Sequence, residues 1–560
     1  MTYPILEVLR RHRLALLPLL AAGWLQARPA LGWGMRPPPV APLAPAAADA
    51  PSPAPAPERP VIGEVRIVTQ GIFNPDRQGE DKLAFRLADR LHRTTRPQVI
   101  RRQLLFAPGD PYEEATIEES ERLLRANRYL YDAEINAVRQ TPERVDLEVV
   151  TRDVWTLRGG VSVNRAGGEN STNFSLQDAN FLGTGKDVTV WRTSDVDRDS
   201  TLFRYRDPNL FGKRGELHLS VAENSDGDAQ RFELERPWFS LDTRWSLGIK
   251  LWSYERLDPL YDRGIVFERF RHHHDFAQLY GGLSRGRAEG RAHRFLLGVD
   301  VERDRFDFQP GGDSTSLVPP NRDLRWPWLG YEYVEDGFVT ERNLDQIRRT
   351  EDLNLGTQLR VRLGWSSPDL GADRERLMMI ASADAGWRPG PRQLLLTSLR
   401  GGGRYRDAAE NLLLSGRARY YLRHWGDQVF YFGLEADYAQ DLDVERQLLL
   451  GGDSGLRGYP LRFLRGDRRL LATVEQRFFS QREFFRLFHL GAAIFFDAGS
   501  AWFRSSLDDP EVLRDIGIGL RVGSSRSSGG SMIHLDVAFP LDGDDTIEGV
   551  QWLVSTSERF

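Results

Sequence analysis

Residues Leu490–Trp502 read LGAAIFFDAGSAW, and the fold is decided by how they alternate. Leu490, Ala492, Ile494, Phe496 and Ala498 share one face, while Gly491, Phe495, Asp497 and Gly499 take the other. A period of two, apolar on one side and glycine or charge on the other, describes a half-buried strand. The same alternation runs through 430–438, 516–522 and 533–539, and through Trp245, Leu247, Ile249 and Leu251. From about Trp155 to Phe560 no long helical period interrupts such segments, which are separated by Gly, Asp, Pro and Ser. At about 25 residues per strand and loop, this stretch predicts about 16 strands.

A soluble sandwich would give the same alternation with its apolar face inward. A sandwich of this length normally splits into domains, and no interior linker is visible. The polar face also carries charge repeatedly, including Arg360, Arg362, Arg417, Arg419 and Arg423, which suits a water-filled lumen. The expectation is a mainly β chain forming a 16-stranded antiparallel transmembrane β-barrel. No apolar run of about 18 residues follows the N-terminus, which excludes a helical membrane protein but not a barrel. A net charge of -5 argues against a nucleic-acid binder, and the absence of cysteine excludes disulfides, thiolate metal sites and a cysteine nucleophile. Residues 305–325 and 336–352 read as long polar loops.

Ahead of the barrel, Arg10, Arg11 and Arg13 precede a short apolar core, Leu14 to Trp24, so residues 1–30 read as a secretory signal. Residues 31–60 are rich in Pro and Ala and read as a linker. Residues 61–157 predict a small α+β domain in the order strand, helix, helix, strand, strand. Arg96-Pro97 opens the first helix; Asp110-Pro111-Tyr112-Glu113 reads as a capping box with Pro at N1 of the second. Ala133 to Val138 and Arg144 to Val149 give the last two strands. This order, with the Gly109-Asp110-Pro111-Tyr112 turn and the Val145-Asp146-Leu147 strand, resembles a polypeptide-transport-associated (POTRA) domain. It departs from that pattern in an insert at 71–93, whose Leu83, Phe85, Leu87 and Leu91 suit an extra helix.

The sharpest signal is Gly451-Gly452-Asp453-Ser454-Gly455-Leu456-Arg457-Gly458-Tyr459. Its first half superficially matches the loop around a nucleophilic serine, but Leu456 stands where a glycine is required, and no matching fold accompanies it. Leu456, Arg457, Gly458 and Tyr459 resemble the (V/I/L)-R-G-(F/Y) motif of the BamA/TamA superfamily of outer-membrane assembly barrels. Phe495-Phe496-Asp497-Ala498-Gly499 resembles that family's F-x-D-x-G. The resemblance implies a loop folded back into the lumen, with Arg457 reaching carboxylates on the wall. Alternation independently places Asp497 on the lumen face, and Glu475 with Arg477 on the lumen face of the preceding strand. Asn180 to Gly185 and Asp207 to Gly212 resemble the family's hairpin turns. Gly282 to Gly286 matches G-x-S-x-G but lies among strands rather than at an elbow. His272, His273 and His274 alternate faces in an extended segment, so no metal site is expected. The C-terminal residue Phe560, with Trp552 in the same alternation, suits a terminal barrel strand, though Glu558 and Thr556 interrupt its apolar face.

Taken together, the resemblance implies no enzyme, no cofactor and no metal. Its expected partners are outer-membrane lipid, unfolded client proteins in the periplasm and periplasmic or inner-membrane accessory proteins, and no nucleic acid. The implied function is insertion of clients into the outer membrane. A two-partner-secretion-like pore and a passive porin are the alternatives, and a single POTRA-like domain, fewer than the family's main assembly proteins carry, keeps the first of these open.

Overall fold

The computed structural model describes residues 59–72, 93–308, 318–426, 428–506, 509–526, 532–543 and 547–557. The signal, nearly all of the linker, most of the 71–93 insert, Glu558 and Phe560 lie outside these residues.

The N-terminal domain contains β1 (Val61–Gln70), α1 (Pro97–Arg101), α2 (Glu114–Arg125), β2 (Leu130–Gln140) and β3 (Arg144–Asp153). β3 is central, parallel to β1 and antiparallel to β2. Val145, Leu147 and Val149 point from β3 into a core with Ile62, Ile100, Ile117 and Leu124. The capping box does not form. The second helix starts at Glu114, its N-cap is Glu113, and no side chain caps it. The turn pairs with β1 instead: the Ile62 amide donates to the Asp110 carbonyl at 2.8 Å, and Gly109 donates back to Ile62. Asp110 spends its carboxylate on the Ala107 amide at 2.7 Å. A proline whose predecessor is held extended beside a strand delays the helix by three residues.

The barrel runs from Leu157 to Ser557 and closes on itself with 20 strands, not 16. The overestimate of residues per strand has a physical cause. Several strands reverse through two-residue turns, as at 167–168, 225–226, 263–264 and 289–290, where positive φ at residues such as Gly168 and Gly264 permits tight hairpins. The alternation itself holds. Leu297 and Leu329 are 65% and 72% exposed on the outside, while their neighbours turn into the lumen. An outward belt of this kind on a closed barrel is a lipid-facing surface.

Because the N-terminal domain feeds the first strand, one mouth of the barrel can be named the domain mouth. The domain packs there against wall turns. The Arg96 amide donates to the Gly183 carbonyl at 3.1 Å, and Asn180 Nδ2 donates to Thr95 Oγ1 at 2.8 Å. A Cβ on Gly183 would lie 2.6 Å from the Thr94 carbonyl oxygen, and its φ is +72, so this contact requires glycine. Arg214 donates to the Leu104 carbonyl at 2.6 Å, and the Leu241 amide donates to Glu119 Oε1 at 2.8 Å.

Glu119 is buried, and its second oxygen has no hydrogen-bond partner. Burial pushes its carboxyl up from the ordinary 4.5, and the opposing pull of the Leu241 amide, Arg287 and Arg122 does not cancel that. The docked domain therefore favours the protonated form. Its contribution to docking is complete below the free value near 4.5 and is lost as pH rises through the raised one. Hydrogen exchange in turn 237–244, corrected for intrinsic rate, is expected to speed up across that window. Glu119→Gln is expected to flatten the profile; a wild-type profile already flat would contradict the assignment.

Candidate functional site

Four neighbouring wall strands, Arg468–Phe484, Phe488–Trp502, Leu513–Ser524 and Met532–Pro540, each present one carboxylate to the lumen: Glu475, Asp497, Asp515 and Asp536. The loop between the strands Gln428–Gln440 and Arg468–Phe484 folds inward and delivers Arg457 to them. Arg457 Nε donates to Asp497 Oδ2 at 2.7 Å and Nη2 to Oδ1 at 3.0 Å. Nη1 donates to Glu475 Oε1 at 2.8 Å and reaches Asp536 Oδ2 at 3.4 Å. The guanidinium carbon lies 3.4 Å over the centre of the Phe495 ring. Thr473 Oγ1 donates to Asp497 Oδ1 at 2.8 Å, fixing the carboxylate that receives the fork.

The rest of the motif packs. Gly458 donates its amide to Asp515 Oδ2 at 3.0 Å, and a Cβ on it would lie 2.6 Å from that residue's own Cβ. The Tyr459 hydroxyl donates to the Arg514 carbonyl at 2.7 Å and accepts from the Asp542 amide at 3.3 Å. Leu456 and Tyr459 are fully buried with Leu450, Phe463 and Leu464 of the loop against Leu471, Ala501 and Leu513 of the wall. Burying each such side chain is worth about 1.5–3 kcal/mol, whereas a buried ion pair roughly breaks even against desolvation. The apolar base therefore holds the loop in the barrel, and Arg457 fixes where its tip points.

All six lumen residues singled out from sequence, Leu456, Arg457, Gly458, Tyr459, Asp497 and Glu475, meet at this place. Asp536, Asp515 and Phe495 were not assigned to it. Their alternation was legible, since Asp536 opposes Leu535 and Val537, but only strand register puts them at one height. Trp552 is 60% exposed on the outer face, and Phe560 lies outside the described residues.

A second chain of contacts leads downward. Arg477 Nε donates to Glu475 Oε2 at 2.7 Å, and its Nη1 donates to the Leu344 carbonyl at 2.7 Å. Leu344 belongs to a segment, 336–357, that leaves the domain mouth and crosses it; Asp345 there also accepts from Arg419 at 3.0 Å and from the Tyr421 hydroxyl at 3.0 Å. Glu351 gathers the amides of Leu344 and Asp345 at 2.9 and 3.1 Å, which closes the hairpin tip. The next residue, Asp352, receives both arms of Arg125 from α2, at 2.9 and 2.7 Å. A series of polar contacts, carried between Leu344 and Asp352 by the hairpin itself, thus runs from the far-side loop to the N-terminal domain.

His272 and His274 do not alternate faces relative to each other; two residues apart, they share the lumen with Asp304, all three within metal-binding reach of one another. The hydrogen bonds argue against an ion. His272 meets Asp258 through Nδ1 at 2.7 Å and Asp304 through Nε2 at 3.0 Å, so both nitrogens face carboxylates. Trp252 donates to His274 Nε2 at 3.1 Å, which places that ring's proton on Nδ1, toward Asp304. Arg322 already compensates Asp304 at 3.0 Å and continues to Glu445 in the inward-folded loop. The cluster is a charged tether between wall and loop.

Residues 92–153 match the POTRA family model, described as a surface antigen variable number repeat. The N-terminal domain is a POTRA domain. No curated protein matches the chain. Among solved structures, it is similar to BamA from Haemophilus ducreyi lacking POTRA domains 1-3, at 14% identity over 88% of this chain and 85% of that one, with a TM-score of 0.39. CdiB from Acinetobacter baumannii gives 13% identity over 89% and 73%, with a TM-score of 0.46. CdiB from Escherichia coli gives 15% over 88% and 76%, with a TM-score of 0.43. The POTRA domain's own free edge is short. Glu121 accepts from the Ile135 amide at 2.6 Å and Arg125 donates to the Ala133 carbonyl at 3.1 Å, capping β2 there and leaving Asn136–Gln140 uncovered.

Arg457→Ala is expected to expose the loop to protease in folded barrels, because buried Asp497 loses its guanidinium partner at a cost of about 3–5 kcal/mol, while heat-modifiable gel mobility stays that of a closed barrel. Pairing Arg457→Asp with Asp497→Arg is expected to recover part of each single loss, with a coupling of about 1 kcal/mol or more. Strict additivity in that cycle would mean the two side chains do not interact.

Proposed function

We propose that this protein inserts client chains into an outer membrane, as an assembly factor of the BamA/TamA type, with its POTRA domain in the periplasm. One observation carries this reading. Among the described residues, the seam between the last strand, Gln551–Ser557, and the first, Leu157–Ala166, registers a single backbone partnership, Val554 with Arg165. The first and second strands, by contrast, are paired along their whole length, from Leu157 with Asp178 to Ala166 with Glu169. A seam with unmade backbone hydrogen bonds is the point at which a closed sheet opens most readily, and its bare edges can template an incoming strand.

Two further features support the reading. The uncovered Asn136–Gln140 stretch of β2 carries Val138 at 59% exposure, an edge suited to strand addition by an extended chain. The lumen receives a loop from each end, the Arg457 loop from the far side and the 336–357 hairpin from the domain mouth, an arrangement a passive pore does not need. The contacts of Arg477 and Asp352 connect these to the POTRA domain, so a client on that domain can bias both loops.

The chain contains no cysteine, so Arg165→Cys with Val554→Cys introduces a unique pair across the seam. Oxidation of that pair is expected to stop client insertion into liposomes and reduction to restore it. If insertion continues with the seam locked, lateral opening is not the route. If the locked barrel still exports a soluble client, the protein is a secretion pore.

A further inference from the structure

The chain passes from the POTRA domain to the barrel in three residues, Val154 to Thr156, between the end of β3 and Leu157, where the first barrel strand begins. Each is fixed through its backbone. The Val154 amide donates to the Tyr129 carbonyl of the POTRA domain at 3.1 Å, and the Thr156 carbonyl accepts from the Ala179 amide at 3.2 Å. Between them, the Trp155 amide donates at 2.6 Å to the carbonyl of Arg526. Arg526 belongs to the last strands: it follows Leu513–Ser524 at the domain mouth. A connector this short, with its backbone groups already engaged, has no slack. A movement of the POTRA domain is therefore a movement of the first strand's lower end.

Arg526 is 5% exposed and uses its guanidinium as well. Nη1 donates to the Ile72 carbonyl, just past the end of β1, at 2.9 Å. Nε donates to the Arg486 carbonyl at 3.2 Å, and Nη2 faces Glu483 Oε1 at 3.4 Å. One residue thus joins the POTRA sheet, the connector into the first strand, and the turn between Arg468–Phe484 and Phe488–Trp502. A planar fork suits such a junction, because its bonds leave in fixed directions.

The far end of the seam is held by other means. The registered pair Val554 with Arg165 lies there, and Ala166 packs against Phe495, Ala538 and Leu553. The inward loop adds a bridge. Three residues after Tyr459, which holds it to the last strands, Arg462 grips Asp197, between the third and fourth barrel strands, at 2.8 and 2.5 Å and lies 4.2 Å over the Tyr261 ring. None of these partners belongs to the POTRA domain. At the mouth end, register places Ser557 level with Ser162, so below that point the first strand has no neighbour from the last among the described residues.

We propose that Arg526 is the clasp at the domain-mouth end of the seam, and that the POTRA domain opens the seam from that end through it. When the domain carries Ile72 away, the guanidinium loses a carbonyl, the turn that presents the Arg526 carbonyl to Trp155 is released, and the two sides part from below while the loop keeps the far end together. This deepens the proposed function and rests on its reading of the seam as the point of opening. The test reads distances with no client present, so the two fail separately: insertion that continues with the seam locked overturns the insertion route and leaves the clasp standing.

The experiment measures distances between paired nitroxide labels by double electron–electron resonance, on the full chain in phospholipid nanodiscs. The chain has no cysteine, so introduced pairs are unique. Leu157→Cys with Ile533→Cys, both exposed, reports the mouth end; Glu169→Cys with Phe539→Cys, also exposed, reports the far end. Arg526→Ala is expected to lengthen the first distance by about 5 Å or more, the spacing of one strand, and to leave the second unchanged. Arg526→Lys keeps a charge beside Glu483 without the fork; it is expected to fall between, and it carries the test if the alanine variant lacks closed-barrel gel mobility. Arg125→Ala, which frees the POTRA domain from Asp352 at the hairpin rather than at the seam, is expected to lengthen the first distance when Arg526 is present and to add nothing in its absence. An unchanged first distance in both Arg526 variants would make the residue a local brace of its own turn. Lengthening of both distances would mean general loosening. An Arg125→Ala effect that is absent, or equal with and without Arg526, would break the link to the POTRA domain. Each of these results overturns the proposal.

Discussion

Arg457 sits where four adjacent strands each bring one acidic residue to the same height of the lumen, and most of the interior is organised around that fact. A guanidinium inside a barrel is tolerable only where carboxylates replace its water. Glu475, Asp497 and Asp536 do so directly, and Asp515 holds the amide of the next residue, Gly458. Because the donors are a rigid planar fork, the contact fixes direction as well as position. The apolar base of Leu456, Tyr459 and Phe463 supplies the attachment. The ion cluster supplies the register, the role in which buried polar groups are best attested.

From this cluster the structure extends downward through charge, beside the packing of Leu344 against Leu394, Tyr421 and Val429. Glu475 is shared between Arg457 and Arg477, and Arg477 is shared between Glu475 and the hairpin at the domain mouth. Arg457 cannot move without leaving Asp497 with no guanidinium, and Arg477 cannot move without releasing the Leu344 carbonyl. A shift at one end of such a series changes the partners available at the next, so the POTRA domain and the far-side loop are physically connected. The hairpin that links them is held near its tip by Glu351, which gathers its own amides, and by Arg125 of the POTRA domain, which grips the adjacent Asp352.

The walls are unequally closed, and the inequality lies close to the ion cluster. Met532–Pro540, which carries Asp536, is next to the last strand. Among the described residues, the last strand meets the first at a single registered pair. Among the described residues the sheet is therefore well paired where it carries the loop and sparsely paired one strand further on. In the POTRA domain the same economy appears at β2, where Glu121 and Arg125 cap one half of an edge and leave the other half bare.

Much of this was legible in the chain alone. Alternation in Leu490–Trp502 and its counterparts gave the barrel and the side on which each residue stands, because a strand's side chains change face at every step. The Leu456 to Tyr459 motif with Asp497 and Glu475 gave the heart of the site, and the order of elements gave the POTRA domain. Strand number was not legible, because alternation does not reveal where a tight two-residue turn replaces a loop. Nor was the helix start after Pro111, which depended on whether Asp110 would cap a helix or lie beside β1. The hairpin's path across the mouth, the pairing of His272 with two carboxylates and the sparse pairing across the seam among the described residues were set by tertiary structure alone. Sequence determined which face each residue occupies, a property of the local backbone. Which residues share a height in the lumen depends on strand register and barrel closure, and these are fixed only when every strand has found its neighbour.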